Sequence, residues 1–372
     1  MSSQPKGAQF SAVVASVCLI GLSTSCSSKL QGREWVMSAP EGFGVITSIA
    51  RCADVVFLAD SRLRIRRFDT NDVKFLPDLP LQTNLLATAL ATDCASDTLY
   101  IVTNIPLGRN KSAAVYAVAM KTGEMRREYA LPVTFLPRPG ARFLSPDTLI
   151  VGGLWLPADQ PPESRHVSER NYYGNGLRLG VRVSISSGVV EPLVGPYEEE
   201  CVGAGQCPDV RVDAIGSSPA LRFIAGLPAS TKVGIYASKD SRPLIVDVRT
   251  PQFVRSGEVL GLSEPVETRM RWVGKNSIIS RVIAFDDVVA VVHTKYQTGD
   301  GWKMGDASPR ASFLNTYRWD GRTMDADVPI SEGFNLGFDE DYLYAADYGS
   351  TGAHDGAKEI VLRQIPIRSP RK

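Results

Sequence analysis

Residues 46–60, ITSIARCADVVFLAD, set an apolar strand, a tight polar turn and a second apolar strand in direct succession. The pattern returns at residues 88–103 (TALATDCASDTLYIVT), 141–153 (ARFLSPDTLIVGG), 212–226 (VDAIGSSPALRFIAG), 280–294 (SRVIAFDDVVAVVHT) and 334–347 (FNLGFDEDYLYAAD). Each apolar run is short and is closed off by turn-forming residues, which is the signature of a strand rather than of a buried helix. The first apolar residues after the turns are Val55, Leu99, Leu149, Leu221, Val288 and Tyr342, and the differences between successive numbers are 44, 50, 72, 67 and 54. The shorter spacings match one four-stranded blade of about 40 to 50 residues, and the excess is loop insertion. The reading is an all-β, six-bladed β-propeller of four-stranded antiparallel blades, with seven blades as the alternative.

Each repeat continues into a third and a fourth strand. After the second copy these are AAVYAVAM and MRREYALP, joined by KTGE; the equivalent turns elsewhere are DTND, ISSG, SKDSRP and DGRT. Gly, Asp, Asn and Ser are the residues that hairpin turns require. The sixth repeat ends at KEIVLRQIPI, its third strand, so REWVMSAP (Arg33 to Pro40) is expected to supply the missing fourth and to remove an open sheet edge. No helical pattern of ten or more residues is expected anywhere, which argues against α/β enzymes with parallel sheets.

The ends and the cysteines speak to compartment. Lys6 precedes the apolar run Phe10 to Leu22, FSAVVASVCLIGL. That run is shorter than the roughly 20 residues needed to span a bilayer and reads as a secretory signal. Ser23, Thr24 and Ser25 before Cys26 are similar to a bacterial lipobox, with Leu22 one place earlier than the pattern prefers; ordinary cleavage before Cys26 and an uncleaved anchor are the alternatives. The expected organisation is a signal peptide over 1–25, a tether over 26–32 behind a lipidated Cys26, one propeller domain over 33–368 and a tail over 369–372. The expected location is exported, as a bacterial outer-membrane or periplasm-facing lipoprotein, held to the membrane through the lipid alone. Cys52, Cys94, Cys201 and Cys207 then remain, enough for two disulfides. Cys52 and Cys94 hold equivalent places in the first two repeats, and Cys201 and Cys207 close the short loop CVGAGQC; four free thiols are the alternative.

Composition excludes more than it identifies. Of all residues 44% are hydrophobic and 22% charged, and 41 basic residues stand against 40 acidic ones for a net charge of +1. That balance offers no electrostatic case for nucleic acid. GxSxG, P-loop, Rossmann and HExxH patterns are absent from the sequence, and no cofactor is expected.

Strand counting does sort the loops. In a meander blade the first-to-second and third-to-fourth turns share one end, and here all of them are short. The long insertions, Leu156 to Asn175, Pro196 to Asp209, Thr250 to Ser277, Lys295 to Ala311 and Tyr348 to Ala357, all fall at the other end. Variable loops on a rigid scaffold are where binding surfaces form. That face carries Arg165, His166, Glu169, Arg170, Tyr172, Tyr173, Trp302, Lys303, Tyr348, His354 and Asp355. Arginines and aromatics are the common hot-spot side chains. The three histidines are His166, His293 and His354; a zinc site from His166, His354 and Asp355 is disfavoured by the separation of their blades, His293 reads as structural, and GDGWKMGD lacks calcium-loop spacing. First strands line the axial channel, and Thr47, Arg142, Asp213, Arg281 and Asn335 are its expected polar residues. Two arginines there oppose a bound cation and suit an anion.

Repeats, turn-strand pattern and lipoprotein-like start together resemble the TolB-like and NHL-like class of six-bladed propellers over about residues 33 to 368, without the leading α/β domain of TolB. That class includes both binding scaffolds and hydrolases. The expected function is an envelope-anchored, non-catalytic propeller that binds a protein, peptide or glycan on its looped face. The alternative is a propeller hydrolase or lactonase using the central funnel, with a divalent cation as an optional partner. Oligomeric state is not legible in the sequence.

Overall fold

The computed structural model describes residues 32–44, 46–81, 85–103, 113–144, 146–155, 178–195, 211–217, 220–227, 230–255, 266–296, 310–330, 335–338, 342–348 and 359–367. Their strands form six four-stranded antiparallel sheets, and the seven-bladed alternative is set aside. Blade one is β2 (Ile46–Cys52), β3 (Val55–Asp60), β4 (Ile65–Asp69) and β5 (Lys74–Leu76), and blade two is β6 (Ala87–Asp93), β7 (Thr98–Thr103), β8 (Ala114–Ala119) and β9 (Met125–Ala130). Blade three comprises β10 (Phe135–Leu144), β11 (Thr148–Trp155), β12 (Arg178–Ser184) and β13 (Val190–Val194); blade four comprises β14 (Arg211–Ile215), β15 (Arg222–Gly226), β16 (Lys232–Tyr236) and β17 (Leu244–Asp247). Blade five is built from β18 (Ser277–Ala284), β19 (Val288–Tyr296), β20 (Arg310–Arg318) and β21 (Thr323–Ile330). Blade six holds β22 (Asn335–Phe338), β23 (Tyr342–Tyr348) and β24 (Glu359–Pro366), and its fourth strand is β1 (Arg33–Ser38) from the other end of the chain. The closure expected of REWVMSAP is therefore present, with Arg33 opposite Gln364 and Ser38 opposite Glu359.

Side-chain alternation explains why the middle strands read as unbroken apolar runs. Successive residues of a strand point to opposite faces, and in this ring each face meets a neighbouring blade. Along β7, Leu99 and Ile101 enter the core between blades one and two, whereas Tyr100 and Val102 enter the core between blades two and three. In β19, Val289 and Val291 face blade four while Val288, Ala290 and Val292 face blade six. Six such apolar cores occur among the described residues, one at each junction of adjacent blades. Full burial of one such side chain contributes about 1.5–3 kcal/mol. Outer strands show the opposite habit: in β9 only Tyr129 is buried, and Arg126, Arg127 and Glu128 lie exposed. The third-to-fourth turns carry glycines with left-handed backbone at Gly123 (φ 69°), Gly188 (φ 78°) and Gly321 (φ 83°), which explains the glycine in KTGE, ISSG and DGRT.

One expectation is corrected. A ten-residue helix, α1 (Val266–Lys275), lies inside the insertion between blades four and five, where no helical pattern was expected. Glu267, Arg269, Met270, Arg271 and Lys275 are good helix formers, offset by two valines, a threonine and Gly274. Its last turn is closed by a side chain: Asn276 Nδ2 donates to the Trp272 carbonyl at 2.7 Å. At 10 residues its period is too brief to stand out from flanking loop sequence.

Adjacent inner strands also exchange hydrogen bonds. Thr47 Oγ1 donates to the Ala87 carbonyl at 2.9 Å, Leu90 N donates to Ser48 Oγ at 3.0 Å, and Thr92 Oγ1 donates to the Arg51 carbonyl at 2.6 Å. The same seam ends in a disulfide between Cys52 and Cys94, with Cα atoms 5.5 Å apart and a sequence separation of 42. Cys201 and Cys207 lie outside the described residues. Chain-entropy arithmetic for a loop of that length gives about 4 kcal/mol. Reduction, or the double substitution of Cys52 and Cys94 by Ser, is expected to lower the free energy of unfolding in urea by up to that amount; an unchanged midpoint and slope would show that blades one and two need no staple.

Candidate functional site

The ring has two unlike faces. On the short-turn face the connections are residues 53–54, 70–73, 94–97, 120–124, 145–147, 185–189, 216–221, 237–243, 285–287, 319–322 and 339–341. The looped face receives residues 156–177, 195–210, 248–276, 297–309 and 349–358. Arg165, His166, Glu169, Arg170, Tyr172, Tyr173, Trp302, Lys303, His354 and Asp355 belong to those loops and lie outside the described residues, as does Cys26. Tyr348 is the last residue of β23, at the looped end of blade six.

Two buried polar nodes underpin that face, and sequence reading singled out neither as a site. In blade one, Asp60 at the end of β3 is almost fully buried. Its Oδ1 accepts from the backbone N–H of Arg62 (2.9 Å) and Arg64 (3.2 Å), and its Oδ2 accepts from Gly44 N (3.3 Å) and Arg66 Nε (3.2 Å). Arg66 in turn grips Asp78 through Nη1 at 2.9 and 3.1 Å and donates from Nη2 to the Gly42 carbonyl at 3.1 Å. One ion pair thus fixes the β3–β4 turn and the link from β1 into blade one. Buried charges persist in this way only when both partners are satisfied.

The second node lies in blade five. His293 on β19 is wholly buried, with Phe253 and Phe313 rings at centroid distances of 5.0 and 5.2 Å. Its Nε2 is 3.3 Å from Asp327 Oδ1 on β21. Asp327 also accepts from Thr250 Oγ1 at 2.5 Å and Gln252 N at 3.2 Å, which holds the start of the blade-four insertion against blade five. Farther along, Arg255 stacks over Phe253 and over Trp272 of α1, at 5.6 and 5.0 Å. Burial pushes the His293 pKa below its usual 6.5 and outweighs the attraction of Asp327, so the ring is neutral at pH 7. An isolated histidine in the sequence carries no sign of an aspartate on a strand not yet paired with its own.

On the inner strands, Arg142 and Asp213 come together, Arg281 bears on Asp213 electrostatically, and Thr47 does not join them. Thr47 is the interblade tie described above. Arg142 Nη2 lies 3.1 Å from Asp213 Oδ2, the same oxygen accepts from Ala284 N at 2.8 Å, and Arg142 Nη1 donates to the Ala284 carbonyl. Three inner strands, β10, β14 and β18, are joined by this cluster. Arg142 and Ala284 lie at the short-turn ends of their strands. Burial raises the Asp213 pKa to about 6 against the pull of Arg142, of two backbone N–H groups and of Arg281. Asn335 begins β22, one of the inner strands. Among the described residues no group of three His, Cys, Asp or Glu side chains is placed to hold a metal ion.

Known family models and curated proteins contain no match to this chain. Solved structures similar to it include that of U3-55K (TM-score 0.46, 11% identity, covering 89% of this chain and 98% of that one) and the RRP9 WD40 repeats (TM-score 0.46, 11% identity, 91% and 98%). Hydrazine synthase of Kuenenia stuttgartiensis is similar at TM-score 0.43 and 11% identity over 82% of this chain and 74% of that one. What establishes the six-bladed propeller is the strand pairing itself.

Asp213 and His293 give opposite pH dependences in one window. Asp213 binds its proton more tightly folded than unfolded, so acidification from about 6 toward 3.8 stabilises the fold through this group. His293 binds its proton less tightly folded, so acidification below 6.5 destabilises through it. Urea unfolding between pH 7.5 and 5 is expected to show Asp213→Asn losing stability relative to wild type as pH falls and His293→Gln gaining it. The reverse order would show that the ion pairs, not burial, set both values.

Proposed function

We propose that this chain is an envelope-anchored, non-catalytic propeller, of the TolB-like and NHL-like kind, that binds a protein, peptide or glycan through its looped face. The observation that carries this reading is the sorting of connections: every link at one face is short, and every link of ten or more residues emerges at the other. Rigid strands below and long loops above are the usual construction of a recognition surface. Both buried nodes fasten backbone at the looped end, at Gly42–Gly44 and at Thr250–Gln252, which favours preorganised over collapsed loops.

The engagement of Asp213 supports binding over funnel hydrolysis. A cation-dependent hydrolase needs converging carboxylates open to the metal, whereas the channel carboxylate is held by Arg142 and by the Ala284 N–H. Placement in the envelope rests on the secretory run ahead of Cys26 and on a disulfide that suits an oxidising compartment.

Two measurements test the reading. Single substitutions of Arg170, Tyr172, Tyr173, Trp302 and His354 by Ala should leave thermal unfolding nearly unchanged, and at least one should weaken capture of the partner by about 2 kcal/mol or more. Matched changes at Lys121, Asp240 and Arg322 on the short turns should leave capture intact; the opposite pattern would put the binding surface on the wrong face. Cys26→Ala should release the protein from the membrane fraction and change its electrophoretic mobility, and if neither changes the anchor is not at Cys26.

A further inference from the structure

Strand β1 fixes the direction in which the tether leaves the ring. It pairs antiparallel with β24, Arg33 opposite Gln364 and Ser38 opposite Glu359. Strand β24 enters from residues 349–358 on the looped face, so Glu359 and Ser38 mark the looped end of blade six. Arg33 and Gln364 therefore mark the short-turn end. Gly32 is seated against this end: a Cβ there would fall 1.8 Å from the Gln364 carbonyl oxygen and 3.4 Å from the Ile365 Cα. The chain is thus pinned at the short-turn face up to the residue before β1.

Cys26 precedes Gly32 by few residues, a contour of at most about 20 Å at 3.3–3.6 Å per residue. Blade six is itself about as tall, since the eight residues of β24 rise roughly 3.3 Å each. A tether that short cannot carry its lipid around the rim to the looped side and still leave the disc lying flat on the bilayer.

We propose that the short-turn face is the membrane-proximal face of the anchored propeller, and that the looped face is presented to a partner free of that membrane. The inference rests on lipidation at Cys26, and the test separates the two. The full chain, processed in its host, is reconstituted into phosphatidylethanolamine–phosphatidylglycerol vesicles that carry a headgroup acceptor dye. A donor is placed in turn at Lys121, Asp240 and Arg62, all exposed, the first two on short turns and the third on the β3–β4 turn of the looped face. Energy transfer to the bilayer is expected to be strong from Lys121 and Asp240 and weak from Arg62. Equal transfer, or stronger transfer from Arg62, overturns the orientation while leaving the anchor in place. The mass of the Cys26 peptide is read on the same sample: an unacylated cysteine overturns the anchor, and the orientation with it.

Discussion

Two-sided burial is the constraint on which the remaining structure depends. A middle strand such as β7 or β19 gives alternate residues to two different cores, so neither of its faces is free to be polar. Each blade is in turn held by both neighbours, and a cavity opened on one face of β7 is felt at the junctions on either side. Variation is pushed to the places where strands stop, which are the two faces and the outer rim.

The two faces use that freedom differently. On the short-turn face, arginines reach across blade junctions to backbone carbonyls: Arg67 to Lys121 at 3.2 Å, Arg127 to Ile185 at 2.7 Å and Arg222 to Asp286 at 2.6 Å. Arg222 also lies over the Trp319 ring at 4.3 Å. These contacts fasten one blade to the next at partly exposed positions, where a cation and a carbonyl gain more than two apolar groups would. At the looped end the polar groups are instead buried and fasten the roots of loops to single blades, through Asp60 with Arg66 and Asp327 with His293.

How much of this was legible in the sequence follows from the range of each interaction. The repeats, the turns and the borrowed strand could be read because each is a local pattern: Val55, Val288 and Tyr342 begin second strands, and Thr98, Thr148 and Arg222 fall one residue from their markers. Equivalent positions in two repeats sufficed to pair Cys52 with Cys94. Thr47, Arg142, Asp213 and Arg281 do lie on inner strands, but their partners were not legible. Arg142 meets the Ala284 backbone 142 positions away, and Thr250 meets Asp327 at a separation of 77, distances over which periodicity carries no information. Helix α1 escaped for the opposite reason: it is local, but too brief to impose its period. The loop residues on which the binding reading turns are outside the described residues, so their part in it rests on the side of the ring from which they spring.

The borrowed strand has a consequence for how the chain must be made. Glu34 and Arg363 meet at 2.8 Å although 329 positions separate them. At a synthesis rate of about 5–20 residues per second, tens of seconds pass between the ribosome's completing β1 and its completing β24. Throughout that interval the ring has two open edges and the junction between blades six and one cannot form. A nascent chain in this state is slow to commit to its final shape, since its most distant contact is also the one that seals it. Such a chain keeps both edges open until its last strand is made, because its first and last strands are each other's partners.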